Sequence, residues 1–182
     1  MNHSKWRIVV LKINHRPERD KRLTTHVGLT ARAFGADEFW ISGIKDEKIA
    51  SKIHEVNSQW GNQAFRVMTG VNWRHSIKTW KEEGGEVIHL TMYGFHVDDV
   101  IGEIRGSSRQ KLIAVGGPKV PAEMYKAANY NVAVGHQPHS EVAALSIFLD
   151  RLFQGSALHH KYSDARIEIV PSSHGKQVKE SD

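Results

Sequence analysis

A mostly parallel β-sheet with helices on both faces is the fold class that this sequence predicts. Two observations carry the expectation. Short β-type runs alternate with helical patterns along residues 7–153, and a repeated β-then-α order folds by default into such a sheet. Several of the β-type runs, RIVVLKI at 7–13 and YNVAV at 130–134 among them, read as buried strands. No internal repeat at a fixed period is visible.

The elements follow in order. After the strand at 7–13, Thr24 or Thr25 is a candidate cap for a helix that runs to Phe34 and stops at Gly35. EFWIS at 38–42 is a second strand. Over 46–60, Ile49, Ile53, Val56 and Trp60 recur at helical spacing. A third strand lies at 64–68, and a helix over 72–83 puts Trp73, Ile77 and Trp80 on one face before Gly84 and Gly85 end it. EVIHLTM at 86–92 is the next strand, 97–104 a short helix, and KLIAV at 111–115 a strand that runs into Gly116, Gly117 and Pro118. A short helix at 121–128, the strand at 130–134 and a strongly apolar helix at 140–153 complete the pattern. Beyond Gly155 the pattern weakens. ARIEIV at 165–170 alternates like an edge strand, and the polar stretch 171–182 reads as a disordered tail. The expected organisation is one domain over 1–155 and a C-terminal extension over 156–182.

Composition narrows the function. The chain has 182 residues, 40% of them hydrophobic, enough for one domain with a sizeable core. No apolar run approaches the roughly 20 residues of a membrane span, and the first residues lack a signal peptide's apolar core. With no cysteine, disulfides, thiolate nucleophiles and cysteine-ligated metals are excluded, which fits a cytoplasmic protein. The formal charge of +5 suits a polyanion partner. It is concentrated early: Arg16, Arg19, Lys21, Arg22 and Arg32 face only Glu18 and Asp20 over 15–32. Arginines past a strand end and beside a helix N-terminus favour phosphate. The same run also reads as a solvated charged loop.

In open α/β sheets ligands sit beyond the carboxyl ends of the strands. The informative late segments are therefore 90–94, 115–121 and 134–140. Gly116 and Gly117 let backbone approach a ligand closely, but they fit neither the dinucleotide fingerprint nor a P-loop. Ser140 is a good N-cap for the last helix, and Glu141 in its first turn suits the helix dipole. His136 and His139 have no third ligand nearby, so no metal is expected. The five tryptophans, Trp6, Trp40, Trp60, Trp73 and Trp80, read as core or dimer contacts.

Four strings in order carry a resemblance. They are His15-Arg16-Pro17-x-Arg19-Asp20-x-Arg22-x-x-Thr25-His26 with Leu29 to Ala36, Leu90-Thr91-Met92-Tyr93-Gly94, Val115-Gly116-Gly117-x-Lys119-Val120-Pro121, and Tyr130 to Leu145. Over about 8–153 the chain resembles the archaeal tRNA cytidine-56 ribose 2′-O-methyltransferases of the SPOUT superfamily. That resemblance implies a Rossmann-like sheet whose C-terminal part forms a trefoil knot, a homodimer, a tRNA substrate and S-adenosyl-L-methionine (SAM) as cofactor. It assigns cofactor binding to Leu90, Met92, Val115, Gly116, Gly117, Lys119, Val120, Asn131, Val132, Ala133, Val134, Gly135, Gln137 and Pro138.

The sequence departs from the wider superfamily in two places. Where that superfamily places a catalytic arginine six residues before a glycine, this chain has Leu29, so the arginine must come from Arg19, Arg22 and Arg32. Ser140 carries over from the superfamily's Asn-x-Ser, but the asparagine is Pro138 here. The catalytic expectation is that Arg19 or Arg22 orients phosphate and steadies the developing alkoxide. His26 would accept the proton, and Ser140 would bond the ribose or hold its loop. Rival expectations are a SPOUT enzyme for another tRNA or rRNA nucleotide, a non-enzymatic basic RNA-binding module, and a nicotinamide enzyme, disfavoured by the missing glycine fingerprint.

Overall fold

The computed structural model describes residues 6–117 and 119–180. The elements are β1 (Ile8–His15), α1 (Pro17–Ala33), β2 (Glu38–Gly43), α2 (Glu47–Trp60), β3 (Arg66–Val71), α3 (Trp73–Glu82), β4 (Glu86–His96) and α4 (Val97–Gly106). They continue as β5 (Lys111–Val115), α5 (Ala122–Ala127), β6 (Tyr130–Ala133), α6 (Glu141–Phe153), a 3-10 turn at Ser156–His159, β7 (Ile167–Val170) and β8 (Gln177–Glu180).

Six strands form one sheet in the order β3-β2-β1-β5-β4-β6, and every pairing is parallel. The two-residue period of β1 builds both layers. Ile8 and Val10 enter a core with residues of α1, α2, α4 and α6, while Val9, Leu11 and Ile13 enter a second core with Trp73, Ile77, Trp80 and Met124 of α3 and α5. Helices therefore cover both faces, as the β-then-α order predicts. Trp6, Trp73 and Trp80 are buried, and Trp40 packs edge-on against Trp80 at 6.0 Å.

The start of α1 differs from the sequence expectation. The helix begins at Pro17, whose missing N–H costs nothing at the first position. Thr24 and Thr25 lie inside it and cap nothing: Thr25 Oγ1 donates to the Lys21 carbonyl at 2.8 Å, and Thr24 is buried against His15. The early shift carries Arg19, Arg22 and His26 onto a helix face.

β4 is longer than expected and interrupted. Leu90 pairs with Val132, and Phe95 pairs with the same Val132 after the chain has left and rejoined the ladder. The chain crosses β6 closely at Gly94, where an added Cβ would run into the Asn131 carbonyl.

The C-terminal extension packs on the N-terminal half. Tyr162 donates to the Arg32 carbonyl at 2.7 Å, and the Arg166 N–H donates to Gln59 O at 3.0 Å. β7 does not join the main sheet; it pairs antiparallel with β8, so residues 177–180 of the expected tail are a strand. Its polar residues gave no burial signal, because the hairpin is mostly exposed. Residues 181 and 182 lie outside the described residues.

Asp164 anchors this docking. Its carboxylate accepts from the N–H groups of Asn62 and Gln63 at 2.9 and 2.8 Å. Those bonds, Gln63's first, hold it below the ordinary aspartate value of 3.8. A depressed carboxylate stabilises the fold above its unfolded pKa, and that contribution is lost as pH falls through the folded one. The extension is therefore expected to loosen below about pH 3.8, read as lost amide protection at Asn62 and Gln63. Asp164→Asn should remove that acid transition; an unchanged transition in the variant would refute the anchor.

Candidate functional site

Strands β5, β4 and β6 are neighbours, so the loops that leave β5 and β6 open on either side of β4. The third expected loop, 90–94, is a break inside β4 and not a loop beyond its end, because the strand rejoins the ladder at Phe95 and runs into α4. The side chains of Leu90, Val115, Val132 and Ala133 are in the core, 6% exposed or less. What those positions can offer a ligand is backbone. Met92, Gly116, Gly117, Val120, Asn131, Val134 and Gly135 are half-buried, and Lys119, Gln137 and Pro138 are exposed. At Gly116 an added Cβ would strike Val120 Cγ2, so glycine is what lets that loop fold back on itself. Gly135 takes φ +74° with nothing near its missing Cβ. Pro118 lies outside the described residues.

One histidine joins two of these segments and another braces the last one internally. His136 Nδ1 lies 2.9 Å from the Met92 carbonyl, and His139 Nε2 lies 2.6 Å from the Val134 carbonyl. Each ring nitrogen can reach those oxygens only as a donor. Beneath them, buried His89 pairs through Nδ1 with Asn131 Oδ1 at 2.9 Å, and Asn131 Nδ2 donates to the Tyr125 carbonyl at 2.9 Å. Burial, outweighing the Asn131 bond, pushes the His89 pKa down and keeps the ring neutral. The side chain of Asn131 is thereby committed to the protein.

The basic segment forms the first turns of α1. Arg19, Arg22 and His26 are exposed at helical spacing, opposite buried Thr24, Val27 and Ala31. Among the described residues no hydrogen bond or ion pair holds these three side chains. Arg16 is engaged instead with Asp20, at 3.0 and 3.2 Å. Arg32 leaves the list of candidate arginines. It is 7% exposed, with Nε on Asn57 Oδ1 at 2.8 Å and Nη2 on the Gly61 carbonyl at 2.5 Å.

Three residues with no role of their own in the sequence expectation, His15, Lys12 and Glu141, tie the segments of the site together. His15 is 1% exposed, with Nδ1 2.9 Å from Thr24 Oγ1 and Nε2 3.3 Å from Asp46 Oδ2. It fixes α1 to the loop that opens α2. Lys12, also buried, pairs with Glu141 of α6, Nζ to Oε1 at 3.1 Å and to Oε2 at 2.9 Å. Lys12 stands opposite Val115, just before the glycine pair, and Glu141 Oε1 lies 3.5 Å from where a Gly117 Cβ would be. The positive charge of Lys12 also helps lower the Asp20 pKa, after the larger effect of Arg16. The first turn of α1, the Gly116–Gly117 loop and the start of α6 thus meet around one ammonium group. A signal existed: the period of two puts Lys12 on the same face of β1 as buried Ile8 and Val10.

Ser140 caps α6 as expected, its Oγ accepting from the Ala143 N–H at 3.1 Å. Arg19, Arg22 and His26 face solvent on α1, and Ser140 opens α6; these two helices pack against each other.

The family described as tRNA ribose 2′-O-methyltransferase, aTrm56, matches residues 60–179 of this chain. The chain belongs to this family. The matched span takes in all three loops and runs through the C-terminal extension. Among family relatives, the tRNA (cytidine(56)-2′-O)-methyltransferase of Methanopyrus kandleri is 56% identical over 172 residues, with 94% of this chain and 96% of that protein covered. Its namesake from Pyrococcus horikoshii is 52% identical over 176 residues, with 95% of this chain and 85% of that protein covered.

Solved structures agree on the fold. A crystal structure of an RNA 2′-O ribose methyltransferase superposes with a TM-score of 0.61 at 14% identity, covering 85% of this chain and 58% of that one. The A. aeolicus TrmH/SpoU tRNA modifying enzyme gives 0.58 at 13% identity, covering 86% and 80%. The SpoU methyltransferase AviRb from Streptomyces viridochromogenes, solved with AdoMet, gives 0.57 at 11% identity, covering 82% and 57%. The fold of the family is therefore that of the SpoU/TrmH methyltransferases, the SPOUT class. No helix among the described residues is long and apolar enough to cross a membrane.

Proposed function

We propose that this chain transfers the methyl group of SAM to the ribose 2′-oxygen of cytidine 56 in the T-loop of tRNA. One observation supports the reading above all others: the loops that leave β5 and β6 are joined through the Lys12–Glu141 pair, and α6, which follows them, packs against the basic helix α1. The relatives' shared name makes the tRNA nucleotide the substrate that fits this family. A trefoil knot, a homodimer that completes each site and a cytoplasmic location belong to the same reading.

The residues present fit the cofactor. Leu90, Val115, Val132 and Ala133 turn their side chains into the core, so any contact they make with the ligand is through backbone at the strand ends. Gly117 and Gly135 keep space that a Cβ would narrow, and Met92, Val120 and Val134 supply apolar surface at the loops. Lys119, Gln137 and Pro138 form the outer rim. When bound, SAM supplies an electrophilic methyl group on a sulfonium.

The chain supplies position and charge, which account for much of the rate of such a transfer. Arg19 and Arg22 bind nucleotide phosphate and stabilise negative charge that develops on the 2′-oxygen. His26, on the same helix face, accepts the hydroxyl proton. Ser140 Oγ is used as an acceptor by Ala143, so its O–H remains free to donate to the ribose.

The test is transfer of labelled methyl from SAM to unmodified tRNA transcripts, with the product nucleotide mapped. Labelled 2′-O-methylcytidine at position 56 is the expected result. Label at another nucleotide would overturn the substrate, and salt-sensitive tRNA binding without SAM binding would leave only an RNA-binding module.

A further inference from the structure

We propose that the buried Lys12–Glu141 ion pair is the clasp that holds the Gly116–Gly117 loop and the first turn of α6 in their cofactor-receiving arrangement, making both residues positioning residues for the methyl donor. This rests on the reading that the three late loops receive SAM.

The pair joins residues 129 positions apart at the point where one of those loops begins and another ends. Lys12 pairs in register with Val115, the residue before Gly116, and Glu141 is the first residue of α6, directly after the loop that starts at Gly135. Neither partner is at the surface, their side chains being 3% and 12% exposed.

Burying two charges is costly, and apolar residues of similar size usually pack such a space at least as stably. A second buried pair in the same sheet shows the difference. Lys111 and Glu86, at the opposite strand ends, are joined by the carbonyls of Ser107 and Arg109 and by the Trp6 ring, 5.0 Å away, around one ammonium. Lys12 has Glu141 and only a distant Ile13 carbonyl at 3.5 Å. Glu141 Oε2 is buried and takes no well-angled hydrogen bond among the described residues, although Lys12 Nζ is close. The Lys12 pair is thinly satisfied, so each partner depends on the other. Breaking it on either side leaves a lone buried charge beside the glycine loop, and the loop must move to hydrate that charge.

The dependence predicts non-additivity. In Lys12→Met the Glu141 carboxylate has lost its cation, and in Glu141→Gln the Lys12 ammonium keeps only the charge of Asp20, which Arg16 already engages. Each single variant should therefore bind SAM more weakly. The double variant Lys12→Met/Glu141→Gln carries neither charge of the pair, and its affinity should return toward that of the wild type.

The experiment is SAM binding by calorimetry on the full chain, with thermal unfolding recorded alongside. At least a tenfold weaker Kd in each single variant is expected, a factor equal to about 1.4 kcal/mol, with most of it recovered in the double variant. Affinities near wild type in both single variants, or losses that simply add in the double variant, would overturn the clasp. If a single variant does not fold, the double variant decides, because failure to recover SAM binding there would also overturn it. Absence of SAM binding by the wild type would instead defeat the cofactor reading itself, which separates the two failures.

Discussion

Alanine at Arg19 or Arg22 is expected to lower kcat/KM for tRNA methylation by about 100- to 1,000-fold, the usual cost of removing one preorganised donor from a developing oxyanion. SAM affinity and Tm should stay near wild type. Both side chains are exposed, and among the described residues neither has a hydrogen bond to lose. The split between kcat and KM separates their roles. An arginine that only grips phosphate raises KM, whereas one that stabilises the transition state lowers kcat with kcat/KM. Lysine should restore little at a bidentate phosphate site, because a point charge does not reproduce the planar fork. His26→Ala in the same assay should lower kcat, because the acceptor for the 2′-hydroxyl proton is gone. Turnover near wild type in all three variants would remove α1 from the chemistry.

Those arginines were legible in the sequence because they form a charge run after a strand; their helix was not. The basic density of 15–26 reads as a loop, and Thr24 and Thr25 look like caps. The deciding signal was Pro17, followed by acids in the first turn, Glu18 and Asp20. The loops after β5 and β6 were legible for a simple reason, since each follows an apolar run and opens on glycine, whereas 90–94 lies inside β4, whose return to the ladder at Phe95 no local pattern signals. What local pattern cannot supply is partnership across the sheet. Lys12 interrupts an apolar run, and period alone marks it as buried, but its partner lies at the far end of the chain. His15 was seen as part of a motif, yet its bonds to Thr24 and Asp46 exist only once β1, α1 and the α2 cap are assembled. The β7–β8 hairpin escaped for the opposite reason, as it buries too little for its alternation to stand out.

Arg32→Ala is the complementary prediction, with the largest expected effect on stability. All three candidate arginines lie on α1, but Arg32 is at its other end, and its guanidinium is turned inward over the Tyr162 ring at 5.1 Å. Burial lowers its pKa, but an arginine remains charged in any accessible range. Truncation leaves Asn57 Oδ1 and the Gly61 carbonyl without this donor, at about 1–3 kcal/mol for each unsatisfied group. It also removes the stem on which the Tyr162 ring and the C-terminal extension rest. For a chain of this size each kcal/mol lowers Tm by roughly 2–4 °C, so a fall on the order of 5–15 °C is expected. Assayed well below that Tm, methyl transfer should be close to wild type, since the Arg32 guanidinium is held by α2, Gly61 and the Tyr162 ring and not by the loops after β5 and β6. Lysine should rescue only part of the loss, because one ammonium cannot span both Asn57 and Gly61 in the plane the fork provides. A variant with unchanged Tm and a hundredfold lower kcat would reverse the assignment and make Arg32 the catalytic arginine. The expected contrast, stability lost at Arg32 and turnover lost at Arg19 and Arg22, follows from which face of one helix each side chain occupies.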